Sequence, residues 1–263
     1  MLKSFSLFVG SSQCNANCKH CAGNILRKYA PKTDGIVDEE LIAKTAVACY
    51  NEGARYLSLS SSGEPTLSPL AVTKTLEIIN GLEGMEFYPI NLYTNGIRIG
   101  SDEGFCKQYL PLWKNLGLTN FYVTVHSIDE KKNAEVYGVK QYPSLDIIIN
   151  RVHAYGYKMR ANIVLSKRTV STFEQYVAMV EGLRLKGVDA VSAWVIRNDK
   201  DEPDTELSPL ESELDKMSEW AKNQGPEIRL LREKHMEVYQ KSEKLTLFPD
   251  GTLSNTWCGS TED

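Results

Sequence analysis

The chain has 263 residues, 42% of them apolar, and 34 acidic against 30 basic side chains give a net charge of −4. That length fills one large domain or two small ones, and the interspersed charges form no basic stripe, so nucleic acid is not an expected partner. No apolar run approaches the ~20 residues of a membrane span. The opening MLKSFSLFVG lacks the long apolar region and cleavage site of a secretory signal. The expected location is the cytoplasm, where cysteines stay reduced and serve metals or catalysis more often than disulfides.

Short β-branched and aromatic runs predict strands at 5–9, 56–60, 90–94, 121–127, 160–166 and 190–196. Apolar residues at helical spacing predict helices at 38–51, 70–80, 102–116, 145–155 and 173–186. Asp38 stands where a helix cap belongs, and Thr172 with Gln175 three residues later reads as a capping box. Strands that alternate with helices form a parallel sheet with crossovers of one hand. Six such units are too few for a closed eight-fold barrel. The expected fold is therefore α/β, an open (βα)6 partial TIM barrel.

Cys14, Cys18 and Cys21 lie together in CNANCKHC, directly after the first strand. In a parallel sheet that loop is at the carboxyl end, where reactive groups collect. Four readings of the triad stay open: buried structural thiols, a disulfide with one spare thiol, structural zinc, or an iron–sulfur cluster. Zinc requires a fourth ligand, from His20 or the distant Cys258. A four-iron cluster held by only three thiolates keeps one iron open for a bound molecule.

The spacing Cys-x3-Cys-x2-Cys resembles the signature of the radical S-adenosylmethionine (SAM) superfamily, and the resemblance runs through roughly residues 3–200. It implies a [4Fe–4S] cluster on Cys14, Cys18 and Cys21 whose open iron chelates SAM. One electron then cleaves the sulfonium to a 5′-deoxyadenosyl radical that abstracts hydrogen. His20 stands at the position that touches adenine in the family, where an aromatic residue is more usual. SSSGEPTL resembles the family's Gly-Gly-Glu-Pro, with Ser62 in place of the first glycine. That likeness implies that carbonyls of Ser62 and Gly63, together with Glu64, accept the SAM ammonium. Gly63 lets a ligand approach the backbone closely, although Gly-Glu-Pro also suits an ordinary strand-to-helix turn.

YTNG resembles the family's Thr-Asn-Gly and nominates Thr94 and Asn95 for the cofactor, although Asn-Gly is a common turn as well. VTVHSID puts Ser127 against SAM. Asp129 is equally suited to cap a following helix, and His126 is expected to pack against one. The fifth and sixth strands, in MRANIVLSK and SAWVIRND, resemble the subgroup that contains the molybdenum-cofactor enzyme acting on GTP. By that likeness Asn162 faces the SAM ribose and Arg160 contacts substrate. Ile196 and Arg197 meet adenine or substrate, unless that stretch is a plain core strand.

The same subgroup carries a second cluster on further cysteines near its C-terminus. Here only Cys258 lies in that region, while Cys49 and Cys106 fall in helices, where packing is the ordinary role. A second cluster is therefore not expected. Cys258 is either inert or a thiol hydrogen donor, and in the second role it counts as catalytic. Residues 1–200 read as the radical SAM core. Residues 201–263 read as an appendage that covers the barrel, with a polar loop, a helix at 210–223 and a hairpin turning at 249–251.

The expected function is hydrogen abstraction from a small-molecule or peptide substrate, with electrons from a donor such as flavodoxin or ferredoxin. An activase that installs a glycyl radical on a partner enzyme is the alternative within the family. A non-catalytic zinc- or cluster-binding interaction module is the alternative of another class. It leaves SGEPTL unexplained.

Overall fold

Every strand of the computed structural model joins one nine-stranded sheet, in the order β7-β6-β5-β4-β3-β2-β1-β8-β9. The structure describes residues 1–18, 20–21, 38–198, 202–232 and 243–255. The strands are β1 (Ser4–Phe8), β2 (Tyr56–Ser60), β3 (Ile90–Thr94), β4 (Asn120–Val125), β5 (Lys158–Leu165), β6 (Ala190–Val195), β7 (Ile228–Leu231), β8 (Lys244–Leu247) and β9 (Leu253–Ser254). Between and after them lie α1 (Glu39–Asn51), α2 (Pro69–Asn80), α3 (Ile97–Ser101), α4 (Glu103–Asn115), α5 (Glu130–Tyr137), α6 (Leu145–Ala154), α7 (Phe173–Leu185) and α8 (Glu211–Lys222). β1 through β6 pair in parallel and in chain order. Crossovers of one hand between consecutive parallel neighbours put the helices on one face. That is the open (βα)6 partial barrel.

Alternation along the strands decides what each face meets. Phe5 and Leu7, Leu57 and Leu59, Phe121 and Val123, and Ala161 and Ile163 are buried in the core with the helices. Their neighbours on the other face are mostly polar, and that face forms the lumen. The helix starts follow local chemistry. Asp38 accepts the Leu41 amide, and the Thr172–Gln175 capping box is complete. Cys49 and Cys106 are buried in α1 and α4, and the Cys106 thiol donates to the Ile99 carbonyl at 3.3 Å.

Three elements, and the edge taken by a fourth, go beyond the sequence reading. α3 is too short to show periodicity and starts from Gly96 at φ 75°. α5 follows Asp129 as a full capped helix. β7 and β8 add parallel strands at opposite edges of the six, against β6 and β1. The expected hairpin is present, with β8 antiparallel to β9 and Gly251 at φ 87° in its turn. Which edge a late strand joins is a tertiary choice that no local pattern encodes. Among the described residues, no helix is long and apolar enough to cross a membrane.

Candidate active site

Cys14, Cys18 and Cys21 are reduced thiols, partly exposed, in the loop that leaves β1. That loop is tied down from two sides. Ser61 Oγ donates to the Ser11 carbonyl at 3.0 Å and the Glu64 amide to the Gln13 carbonyl at 2.8 Å. On the other side the Asn17 amide donates to the Tyr137 carbonyl at 2.8 Å. Gly138, at φ 64°, allows this approach, because a Cβ there would stand 2.8 Å from the Asn17 carbonyl oxygen.

Burial, with Cys21 and Cys14 close by, pushes the Cys18 thiol up to about 12. A thiol so hard to ionise alone is relieved by a cationic centre that takes the thiolate. The donor set therefore fits an iron–sulfur cluster. Among the described residues, no three His, Cys, Asp or Glu side chains converge enough to share a single metal ion. Ligands of a multi-iron cluster bind separate irons and need no such convergence.

Gly63 sits where the cysteine loop crosses the turn after β2. A Cβ on it would stand 2.1 Å from the Gln13 carbonyl oxygen and 2.6 Å from the Ser12 carbonyl carbon. The chain itself thus already uses the space that a side chain at this position would need. Ser62 beside it is buried.

Glu64 is 2% exposed, and its carboxylate accepts four hydrogen bonds. Oε1 accepts from the Thr66 amide at 3.1 Å, Thr66 Oγ1 at 2.7 Å and Thr94 Oγ1 at 2.6 Å. Oε2 accepts from the Asn95 amide at 2.8 Å. Of the about four acceptor positions on a carboxylate, three donors crowd Oε1 and one meets Oε2. Burial pushes this carboxyl above its usual range, while the same donors pull it back. Glu64 therefore joins the Gly-Glu-Pro and Thr-Asn-Gly turns. Asn95 carries the link onward, since its Nδ2 donates to Asn15 Oδ1 at 2.7 Å and reaches Cys14 Sγ at 3.8 Å.

Ser127 ends β4 in a tight turn, its Oγ accepting the Asp129 amide at 3.0 Å. Asp129 caps α5 through the amides of Lys131 and Lys132. Asn133, which the sequence reading missed, is buried and braces this corner by accepting the His126 and Ser127 amides at 2.9 and 3.1 Å. Its only signal was a polar residue on the inner side of a short helix.

His126 packs edge-on against Tyr137 of α5, as expected, and also against His20 at a ring separation of 5.2 Å. Burial first, then His20, lowers His126 to about 3, so it is neutral. On the lumen face of β5, Asn162 is 7% exposed, and its buried Oδ1 has no hydrogen-bond partner. Arg160, on the same face, donates to Ser192 Oγ at 2.8 Å and lies over the Tyr122 ring.

Ile196 is 2% exposed, with its amide on the Leu165 carbonyl and its own carbonyl accepting the Asp204 amide. Arg197 forms an isolated bridge with Pro203. Cys258 lies outside the described residues.

The family model for the Radical SAM superfamily matches residues 8–204. GTP 3′,8-cyclase of Haemophilus influenzae (strain 86-028NP) is 28% identical over 175 residues, 65% of this chain and 48% of that protein. The protein of the same name from Haemophilus ducreyi is 27% identical over 172 residues, 64% of this chain and 46% of its own length. The chain thus spans about half the length of these curated relatives.

Among solved structures, Streptococcus suis SuiB bound to its precursor peptide SuiA superposes with a TM-score of 0.72 at 15% identity, over 100% of this chain and 62% of that one. The protein anSMEcpe with bound AdoMet gives 0.54 at 18% identity, over 90% and 60%. These likenesses show a shared fold. With three spaced cysteines at the carboxyl end of β1 and a family match over most of its length, the chain belongs to the radical SAM superfamily.

Proposed function

We propose that the chain is a radical SAM enzyme that holds one [4Fe–4S] cluster on Cys14, Cys18 and Cys21 and acts on a substrate in the lumen of its open barrel. When bound, the cluster supplies the electron that cleaves SAM, whose deoxyadenosyl group then takes a hydrogen atom from the substrate. The protein's own work is to bind, orient and exclude water. The observation that carries this reading is the chain of contacts from Glu64 through Asn95 to Cys14. It unites three motifs widely separated in sequence.

In this arrangement carbonyls of residues 61–63 meet the SAM ammonium, and Glu64 holds their turn in place. Ser127 keeps a hydroxyl hydrogen for the cofactor, because its oxygen already serves Asp129. Asn162 offers its unpartnered Oδ1 to a ribose hydroxyl. His20 lies beside the triad on the side of His126. Residues 1–200 carry the cofactor chemistry, and β7 and β8 extend the lumen wall at its two edges. A reductant of the flavodoxin or ferredoxin class supplies the electron. The curated relatives are named for cyclising GTP, which favours a small-molecule substrate over a glycyl-radical partner enzyme.

SAM binding to the anaerobically iron-loaded chain tests the reading. Wild type should bind, and Asn162→Ala should bind about tenfold more weakly with unchanged iron, as loss of one buried hydrogen bond implies. An iron-loaded wild type without SAM affinity would overturn the proposal.

A further inference from the structure

The lumen of a closed eight-fold barrel is usually filled by bulky branched side chains. Here the lumen-facing positions of β1 to β8 are largely hydroxyls, amides and cations. Register places Lys158, Arg160, Arg229 and Lys244 on this face, and none of its strand positions carries Asp or Glu. Arg160 has neutral partners, a serine hydroxyl and a tyrosine ring. The acid next to Lys244 in sequence, Glu243, pairs with Lys3 instead.

The β1–β8 wall is the least satisfied part of this surface. Ser6 and Thr246 are direct register partners, 3% and 0% exposed, and neither hydroxyl has a hydrogen-bond partner. Lys244 lies two residues before Thr246, so it shares that face about 7 Å away along the strand. Lys244 is half-buried, and desolvation lowers its amine to about 8. A buried hydroxyl without a partner costs stability, and so does a buried ammonium. Two unpartnered hydroxyls that can each donate, beside an ammonium that can only donate, suit an anion.

We propose that Lys244, Ser6 and Thr246 form a subsite for an anionic group of the substrate, a carboxylate or a phosphate. This deepens the reading above, because it rests on the lumen being the substrate chamber. Lys244 supplies the charge, and the two hydroxyls fix the oxygens. β8 thereby gains a role beyond closing an edge.

The test is the thermal midpoint of the iron-loaded chain, titrated separately with inorganic phosphate, with acetate, and with chloride at matched ionic strength. Specific binding raises the midpoint as it saturates. Phosphate or acetate should raise the wild-type midpoint where chloride does not, and the stronger of the two identifies the group. Lys244→Gln should require about tenfold more anion for the same shift, as loss of a charged hydrogen bond implies. Thr246→Val removes an unpartnered hydroxyl and should fold as well as wild type, yet also respond more weakly. Equal response in wild type and both variants, or no response beyond chloride, overturns the subsite. The titration contains no SAM, so its failure leaves the cofactor reading standing, and failed SAM binding leaves the anion result standing.

Discussion

At Gly63 one hydrogen atom is all the space allows. Replacing it with a methyl group sets that carbon against the Gln13 and Ser12 backbone, and backbone cannot rotate aside. Gly63→Ala should therefore displace the cysteine loop and leave the sheet intact. Anaerobic reconstitution should return a chain with most of its iron lost and an unchanged far-ultraviolet spectrum. Full iron loading would show that the loop tolerates the shift. Residue types at the site were legible in the sequence, because Cys-x3-Cys-x2-Cys and Gly-Glu-Pro are local patterns. Their partners were not. Nothing local says that the crowding at Gly63 comes from Gln13, or that Thr94 and Asn95 donate to Glu64. The unpaired Oδ1 of Asn162 is likewise a property of the folded lumen.

Helix ends were readable in the same local way, since Asp38, Thr172 and Asp129 each find the amides that their positions imply. The Asp129 cap has consequences beyond its helix. It starts α5, whose Tyr137 accepts the Asn17 amide of the cysteine loop and donates its own hydroxyl to the Thr124 carbonyl at 2.7 Å. Asp129→Ala should cost about 1 kcal/mol, the usual worth of a helix cap. A urea titration should show a lower midpoint with an unchanged slope, and iron loading should persist because α5 stays packed. Lost iron at unchanged stability would place Asp129 in the cofactor site instead. Strand β7, and the edge that β8 joins, escaped the sequence reading for the opposite reason. The four-residue patterns of both strands fit many positions, and only packing against β6 and β1 selects the two edges.

Across the molecule, one alternation separates two tasks. The apolar residues of each strand hold the helices, and their polar neighbours face a chamber that consecutive crossovers leave free. The carboxyl ends of β1 to β5 bring the cysteines, Gly63, Asn95, Ser127 and Asn162 to one end of that chamber. The same strands turn Arg160 into its lumen, and β8 adds Lys244. A parallel sheet in chain order was foreseeable from six strand–helix repeats. The charge of the lumen was not, because it depends on which register every strand adopts. The central claim is that this end holds a redox cluster that cleaves SAM, and one measurement addresses it directly. The chain is reconstituted anaerobically with iron and sulfide, assayed for metal, then given SAM and a strong reductant. The account predicts about four irons per chain and release of methionine with 5′-deoxyadenosine, both lost in Cys14→Ala, Cys18→Ala and Cys21→Ala. A chain that takes up stoichiometric zinc, holds no iron and leaves SAM intact would contradict it.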